Sequence, residues 1–189
     1  MTTHTLPDRP EEHSAWSGDS DLHLNYVVKL HQANRLHYDL RLELDGVLLS
    51  WVLDEMPSLD PEVRLRAVQV DDHPVQYMLA EKRIPPGRFG AGPMIVWDHG
   101  KYGPYPTDAS VHEKPLREGF NEGRLKLVLH GVRLHGAWAL ELHGKEWAFK
   151  KLDDRFAADT QPDWDHRSVL SNKSLSDVEQ EWRRRMGIE

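Results

Sequence analysis

His31-Gln-Ala-Asn-Arg-Leu-His37-Tyr-Asp39-Leu-Arg41-Leu-Glu43-Leu44, followed by Asp45-Gly46 and Val47-Leu-Leu-Ser-Trp-Val-Leu53, is the stretch that decides the fold. From Leu36 it alternates without a break. Leu36, Tyr38, Leu40, Leu42 and Leu44 face one way, and His37, Asp39, Arg41 and Glu43 face the other. A period of two is the signature of a strand with one apolar face. Asp-Gly between two such runs predicts a tight hairpin, because a type I′ turn needs positive φ at both central residues.

Outward from this hairpin the same texture continues. Short β-like runs begin near Leu24 and recur over 66–70, 94–97, 124–129, 137–143 and 146–151, separated by turn residues. Regular short strands without βαβ spacing predict a mostly β fold, an antiparallel barrel or sandwich. Residues 1–22 are polar and rich in Pro, Asp, Glu and Ser and read as a flexible arm, 23–157 as the β domain, and 158–189 as a loop and a short helix. Ser176 followed by Glu179 has the form of a capping box opening that helix, which should run to Arg185. Trp51, Trp97, Trp138 and Trp147 fall within strands and are expected in the core, with Trp16, Trp164 and Trp182 in the tails.

A chain of 189 residues can bury a core without staples, and the absence of cysteine excludes disulfides, thiol catalysis and thiolate-held metals. Neither an apolar signal region nor a run of 18 apolar residues occurs, so no membrane association and a cytoplasmic location are expected. Lys and Arg number 24 against 31 Asp and Glu, a net charge of −7. That balance disfavours coating long DNA, which requires many neutralised phosphates, but permits capture of a strand terminus by a few placed cations.

The polar row of the first strand carries the chemistry. Residues two apart on a strand sit roughly 6–7 Å apart on one face, so His37 and Asp39 can converge on one ion. His31 would complete a two-imidazole, one-carboxylate set if Gln32-Ala33-Asn34 folded back as a helical turn. Such a set leaves coordination positions open, as catalytic sites do. Arg41, one step further, is suited to grip an anion beside the metal. Spacing alone fits equally a solvated strand with an Asp39–Arg41 ion pair. In Asp71-Asp72-His73-Pro74-Val75-Gln76-Tyr77, the proline pushes His73 toward extended backbone. His73 could donate to a phosphate or protonate a leaving alkoxide, and Tyr77 could add a neutral donor; a charged turn is the plainer alternative. The loop 84–92, Ile-Pro-Pro-Gly-Arg-Phe-Gly-Ala-Gly, lacks the Lys-Ser/Thr of a phosphate loop and reads as a turn connection.

These motifs, in this order, resemble the 3′-phosphoesterase domain of bacterial DNA ligase D. The likeness runs from 31–51 through Pro57-Ser-Leu-Asp-Pro61, Asp72-His-Pro74, the 84–92 loop and Val96-Trp-Asp-His-Gly100. It continues through Gly123-Arg-Leu-Lys126, Gly136-Ala-Trp138, Trp147, Lys150 and Asp153 to Arg167-Ser-Val-Leu-Ser171, covering about residues 24–175. The resemblance implies a compact antiparallel β-barrel with short flanking helices. It also implies a Mn²⁺-dependent activity that removes 3′-phosphates and 3′-terminal ribonucleotides from primer-template ends in end-joining repair, alongside ligase, polymerase or Ku-like partners. By position it makes His31, His37 and Asp39 the metal ligands, and Arg41, His73 and Tyr77 the phosphate contacts.

The chain departs from that family in three places. A lysine is expected where Asp54-Glu55-Met56-Pro57-Ser58 stands, an arginine one residue earlier than Arg66, and catalytic arm residues for which Arg9 and Glu11 are the candidates. A one-residue displacement in a strand turns Arg66 to the opposite face. These departures keep open a degenerate end-binding or scaffolding module, and the ligand set alone also suits a non-haem iron oxygenase.

Overall fold

The computed structural model describes residues 23–105 and 114–188. The expected arm at 1–22, with Arg9, Glu11 and Trp16, lies outside the described residues. Among the described residues there are nine strands: β1 (Leu24–Gln32), β2 (Leu36–Leu44), β3 (Val47–Leu53), β4 (Leu65–Pro74), β5 (Lys82–Ile84), β6 (Gly92–Pro104), β7 (Arg124–Gly131), β8 (His135–His143) and β9 (Glu146–Lys151). They pair in the order β1-β2-β3-β4-β9-β8-β7-β6, and β6 pairs back onto β1, so eight strands close an antiparallel barrel. β5 adds to the free edge at the start of β6. Two helices among the described residues flank the barrel, α1 (Lys114–Asn121) and α2 (Leu175–Met186).

The β2–β3 hairpin has the expected boundaries. Asp45 and Gly46 carry φ of 50° and 80°, the paired positive angles that a type I′ turn needs. The apolar row of β2 enters the barrel interior, where Tyr38, Leu40, Leu42 and Leu44 join Tyr26, Val28 and Leu30 of β1 and Leu49, Trp51 and Leu53 of β3. Trp51, Trp97 and Trp138 are fully buried in that interior and Trp147 nearly so. Each such ring removes on the order of 200 Å² from water, the dominant favourable term of this core.

The outer face of β1–β3 is covered as well. Val27, Leu48, Met78 and Val96 form a second, smaller apolar cluster there, beneath the β4–β6 connection with its single 3₁₀ turn at Val75–Tyr77. The loop expected ahead of the C-terminal helix is tied down: Val169 N–H donates to Val96 O at 3.0 Å, and Trp164 packs edge-on against Trp97. α2 begins two residues before the expected capping box. Ser174 is the N-cap and exchanges hydrogen bonds with Asp177. The overlapping Ser176/Glu179 pair loses because an isolated bridge to Arg167 holds Ser174 extended, while Glu179 pairs with Arg83. Among the described residues no helix is long and apolar enough to cross a membrane.

Candidate functional site

The polar row of β2 lies on the covered outer face, and Asp39 and Arg41 are buried there. His31 reaches the same place by a different route from the helical turn expected for 32–34. β1 extends through Gln32, a short bend follows, and the β1–β2 ladder sets His31 directly opposite His37. Antiparallel pairing achieves what a fold-back turn cannot, because partners across a ladder share a face without leaving the sheet.

The ligand atoms of His31, His37 and Asp39 all lie within 4.8 Å of one another. His31 Nδ1 is 3.6 Å from Asp39 Oδ2, and His37 Nε2 is 3.4 Å from Asp39 Oδ1. Each imidazole turns its other nitrogen to a backbone carbonyl: His31 Nε2 to Gly90 O at 2.9 Å, His37 Nδ1 to Arg35 O at 3.1 Å. A carbonyl accepts only N–H, so these contacts fix both tautomers and leave one lone pair per ring aimed at the cluster. That is the outer-shell arrangement of metal-ligating histidines, and the donor set fits a divalent ion with open positions. Burial pushes the Asp39 carboxyl upward, but the two imidazoles, which donate to it when protonated, and the nearby Arg41 charge outweigh it and hold it well below the usual carboxylate range. Hydrogen bonding to Asp39 raises the His37 pKa against the opposing effect of burial.

Arg41 is 6% exposed, yet its side chain makes one long contact, Nη2 to Asp39 Oδ2 at 3.5 Å, and Nε has no partner. A buried guanidinium so thinly paired costs stability, on the order of 1–3 kcal/mol for an unmet donor, unless an anion completes it.

His73 is aimed by a β-bulge. β3 and β4 pair Ser50 with Val70 and then Leu48 with His73, one residue more on β4 than on β3. Regular pairing would set Asp72 opposite Leu48; the bulge substitutes His73. Ser50 Oγ donates to Leu48 O at 2.9 Å and therefore accepts from His73 Nδ1 at 3.0 Å, leaving Nε2 as the free nitrogen. Burial, then the Arg41 charge, lowers the His73 pKa.

These residues line a cleft of about 550 Å³ together with Arg35, Val70, Ile84, Arg88, Phe89 and Met94. Tyr77 is not among the lining residues. It sits on the 3₁₀ turn, 43% exposed, with Lys82 Nζ 4.7 Å above its ring. Glu55 is exposed and away from the cleft lining, and the charge of Asp54 is met by Arg35 at 2.6 Å and Arg66 at 3.2 Å. Arg66 points outward, as its displaced register requires, and also holds Glu146 at 2.7 Å.

Lys29 escaped sequence reasoning. It is the register partner of Asp39, is 1% exposed, and donates to Tyr77 O at 2.9 Å and Ala80 O at 2.8 Å. Burial and then Arg41 lower its pKa to about 7, against the opposite pull of Asp39. Its signal lay in β1, where Val27, Lys29 and His31 continue the outward row.

The closed barrel thus carries a two-histidine, one-carboxylate cluster beside a buried arginine, an arrangement with the chemistry to hold a cation and an anion together. Residues 29–141 match the model of the DNA ligase D 3′-phosphoesterase domain, and the chain belongs to that family. It is 46% identical over 170 residues to the multifunctional non-homologous end joining protein LigD of Pseudomonas aeruginosa, covering 83% of this chain and 19% of that protein. The LigD of Mycolicibacterium smegmatis is 38% identical over 141 residues, covering 74% and 18%. That of Mycobacterium tuberculosis, a non-homologous end joining DNA repair protein by name, is 36% identical over 131 residues, covering 69% and 16%. The chain thus spans less than a fifth of the length of these relatives.

Proposed function

We propose that the chain heals 3′ ends of DNA or RNA–DNA strands in a primer-template duplex, removing a 3′-phosphate or a 3′-terminal ribonucleotide. His31, His37 and Asp39 would hold one divalent ion, Mn²⁺ by preference, which when bound supplies Lewis-acid stabilisation of charge on the phosphoryl group. The observation that carries this reading is Arg41, a buried cation with an unpartnered donor lining the same cleft as the ligand cluster.

The chain's own residues divide the work. The Arg41 fork takes two non-bridging oxygens and so completes its hydrogen bonding. His73 enters neutral, because burial and Arg41 disfavour its charged form. A bound phosphate monoester reverses that bias, and His73 Nε2 takes up its proton. Water adds to phosphorus as the bond to the 3′-oxygen breaks, and His73 returns the proton to that oxygen. Arg35 and Arg88 add positive charge at the rim. The family resemblance also assigns a phosphate contact to Tyr77; with its ring under Lys82, Tyr77→Phe is the variant that decides whether the hydroxyl takes part.

The relatives' names support a setting in end joining, and a cytoplasmic location beside a ligase, polymerase or Ku-like protein belongs to the same proposal. The test is a primer-template ending in a 3′-phosphate or a single 3′-ribonucleotide, incubated with Mn²⁺ or EDTA and with the His37→Ala variant. Metal-dependent appearance of a 3′-hydroxyl, lost in the variant, is expected. End binding without any product would transfer the reading to a degenerate end-binding module.

A further inference from the structure

Phe89 is the most exposed large hydrophobic side chain among the described residues, at 102%. It contributes nothing to the core, yet its backbone is held on both sides. Arg88 N–H donates to Pro85 O and Ala91 N–H to Arg88 O, and Gly87 has φ 79°, so Pro86-Gly87 forms the centre of a turn of type II character. The next residue, Gly90, accepts from His31 through its carbonyl. At Gly92 an added Cβ would fall 1.8 Å from Gln32 O, so the start of β6 lies directly on the end of β1. The ring is therefore mounted one residue from a contact of the candidate metal cluster, while its own packing plays no part in placing it.

The surroundings have a particular chemistry. Val52, Val70, Ile84 and Met94 line the cleft beside Phe89, and Val70 is 37% exposed. A phosphoryl group needs no apolar wall, whereas the base and sugar behind it do. Arg88 is exposed and also lines the cleft. An exposed aromatic next to an exposed arginine, at the rim of the cleft that holds the ligand cluster and Arg41, is the pairing that binds single strands by stacking and backbone contact without reading sequence.

We propose that Phe89 is the stacking platform for the terminal nucleobase, with Arg88 contacting the adjacent internucleotide phosphate, an inference that rests on the 3′-end reading above. The platform would make the site select polynucleotide ends over small phosphoesters while remaining indifferent to base identity.

The experiment uses the full chain and a primer-template whose 3′-terminal base is 2-aminopurine. Titration is done in EDTA, so that binding is read apart from turnover, with anisotropy of a 5′ dye reporting occupancy. Stacking should quench the 2-aminopurine on saturation. Phe89→Ala should remove the quench and weaken binding roughly 5- to 100-fold, Phe89→Tyr should retain both, and Phe89→Leu should behave like alanine. With an abasic terminal residue, the penalty of Phe89→Ala should vanish. No binding, binding without quenching, or an equal penalty on abasic and base-bearing ends overturns the platform. Quenching without any Mn²⁺-dependent product leaves the platform standing and removes only the phosphoesterase reading.

Discussion

His31 and His37 face each other across the β1–β2 ladder with ring centroids 4.8 Å apart, and each gives its outer nitrogen to a different carbonyl. The two rings are therefore not equivalent to the fold. His31 is buried and ties the 84–92 loop to the barrel, whereas His37 is half-buried and ties only its own bend. Both single alanine variants should lose Mn²⁺ affinity by at least ~100-fold, as loss of a ligand costs at least as much as loss of an outer-shell partner. Above the pH at which His37 titrates, only His31→Ala should also lower folding stability, by about 1–3 kcal/mol. Isothermal titration with Mn²⁺ and urea unfolding check the pair; equal stability losses would contradict this division.

On the proposed ligation, proton and metal compete for the same lone pair of His37. Its pKa in the metal-free protein is raised, chiefly by hydrogen bonding to Asp39. A raised histidine contributes stability that is fully present below the unfolded value of about 6.5 and is lost as pH rises through the folded value. Metal binding runs the other way, since the ligand must be neutral. The melting-temperature gain from Mn²⁺ should be largest near pH 8 and shrink on acidification, starting above the pH at which an ordinary imidazole titrates. A gain that is flat from pH 8 to 5 would remove histidine from the coordination.

Much of this was readable from residues alone, and the failures have physical causes. The β2–β3 hairpin and the outward row His37, Asp39, Arg41 were legible because alternation and Asp-Gly are local signals. His31's route was not, because a ladder partner is set by pairing and not by nearby sequence. His73 depended on a bulge that moves it into the place of Asp72. The start of α2 carries two overlapping Ser-x-x-Asp/Glu patterns, and a tertiary bridge to Arg167 chose between them. Lys29 was invisible because a buried lysine is rare enough that pattern reading defaults to a surface residue. Glu55 is the converse case: it belongs to the stretch where the resemblance expects a lysine, yet it stands outside the cleft lining.

Arg41 separates stability from function. Its burial is only weakly compensated, by one 3.5 Å contact and no partner for Nε. Removing a buried guanidinium whose own donors are largely unmet returns their desolvation cost, which offsets the loss of its one long contact to Asp39. Arg41→Met should therefore leave the unfolding free energy within about 1 kcal/mol of wild type, while 3′-end turnover falls by roughly 10²–10³-fold. A loss of several kcal/mol would mean that Arg41 serves the fold and not an anion.

Asp98 supplies the opposite case, a buried carboxylate that the fold uses and the cleft does not. It is fully buried and accepts from Tyr26 Oη at 2.7 Å and from the backbone N–H groups of Val132, Arg133 and Leu134 at 3.0, 2.8 and 3.0 Å. Those bonds knit β1 and β6 to the β7–β8 turn on a side of the barrel that does not line the cleft. Burial raises its pKa and the four donors pull it back. Asp98→Ala strands all four donors and should cost about 3–5 kcal/mol. Asp98→Asn should recover little, since its amide group places hydrogens against donors. Both variants, assayed below their melting temperatures, should keep Mn²⁺ affinity within about threefold of wild type, because sites far apart with no shared partner act nearly additively. Titration at two temperatures decides it: a matching collapse of metal affinity in the folded variant would mean that the β7–β8 turn and the ligand cluster are one cooperative unit.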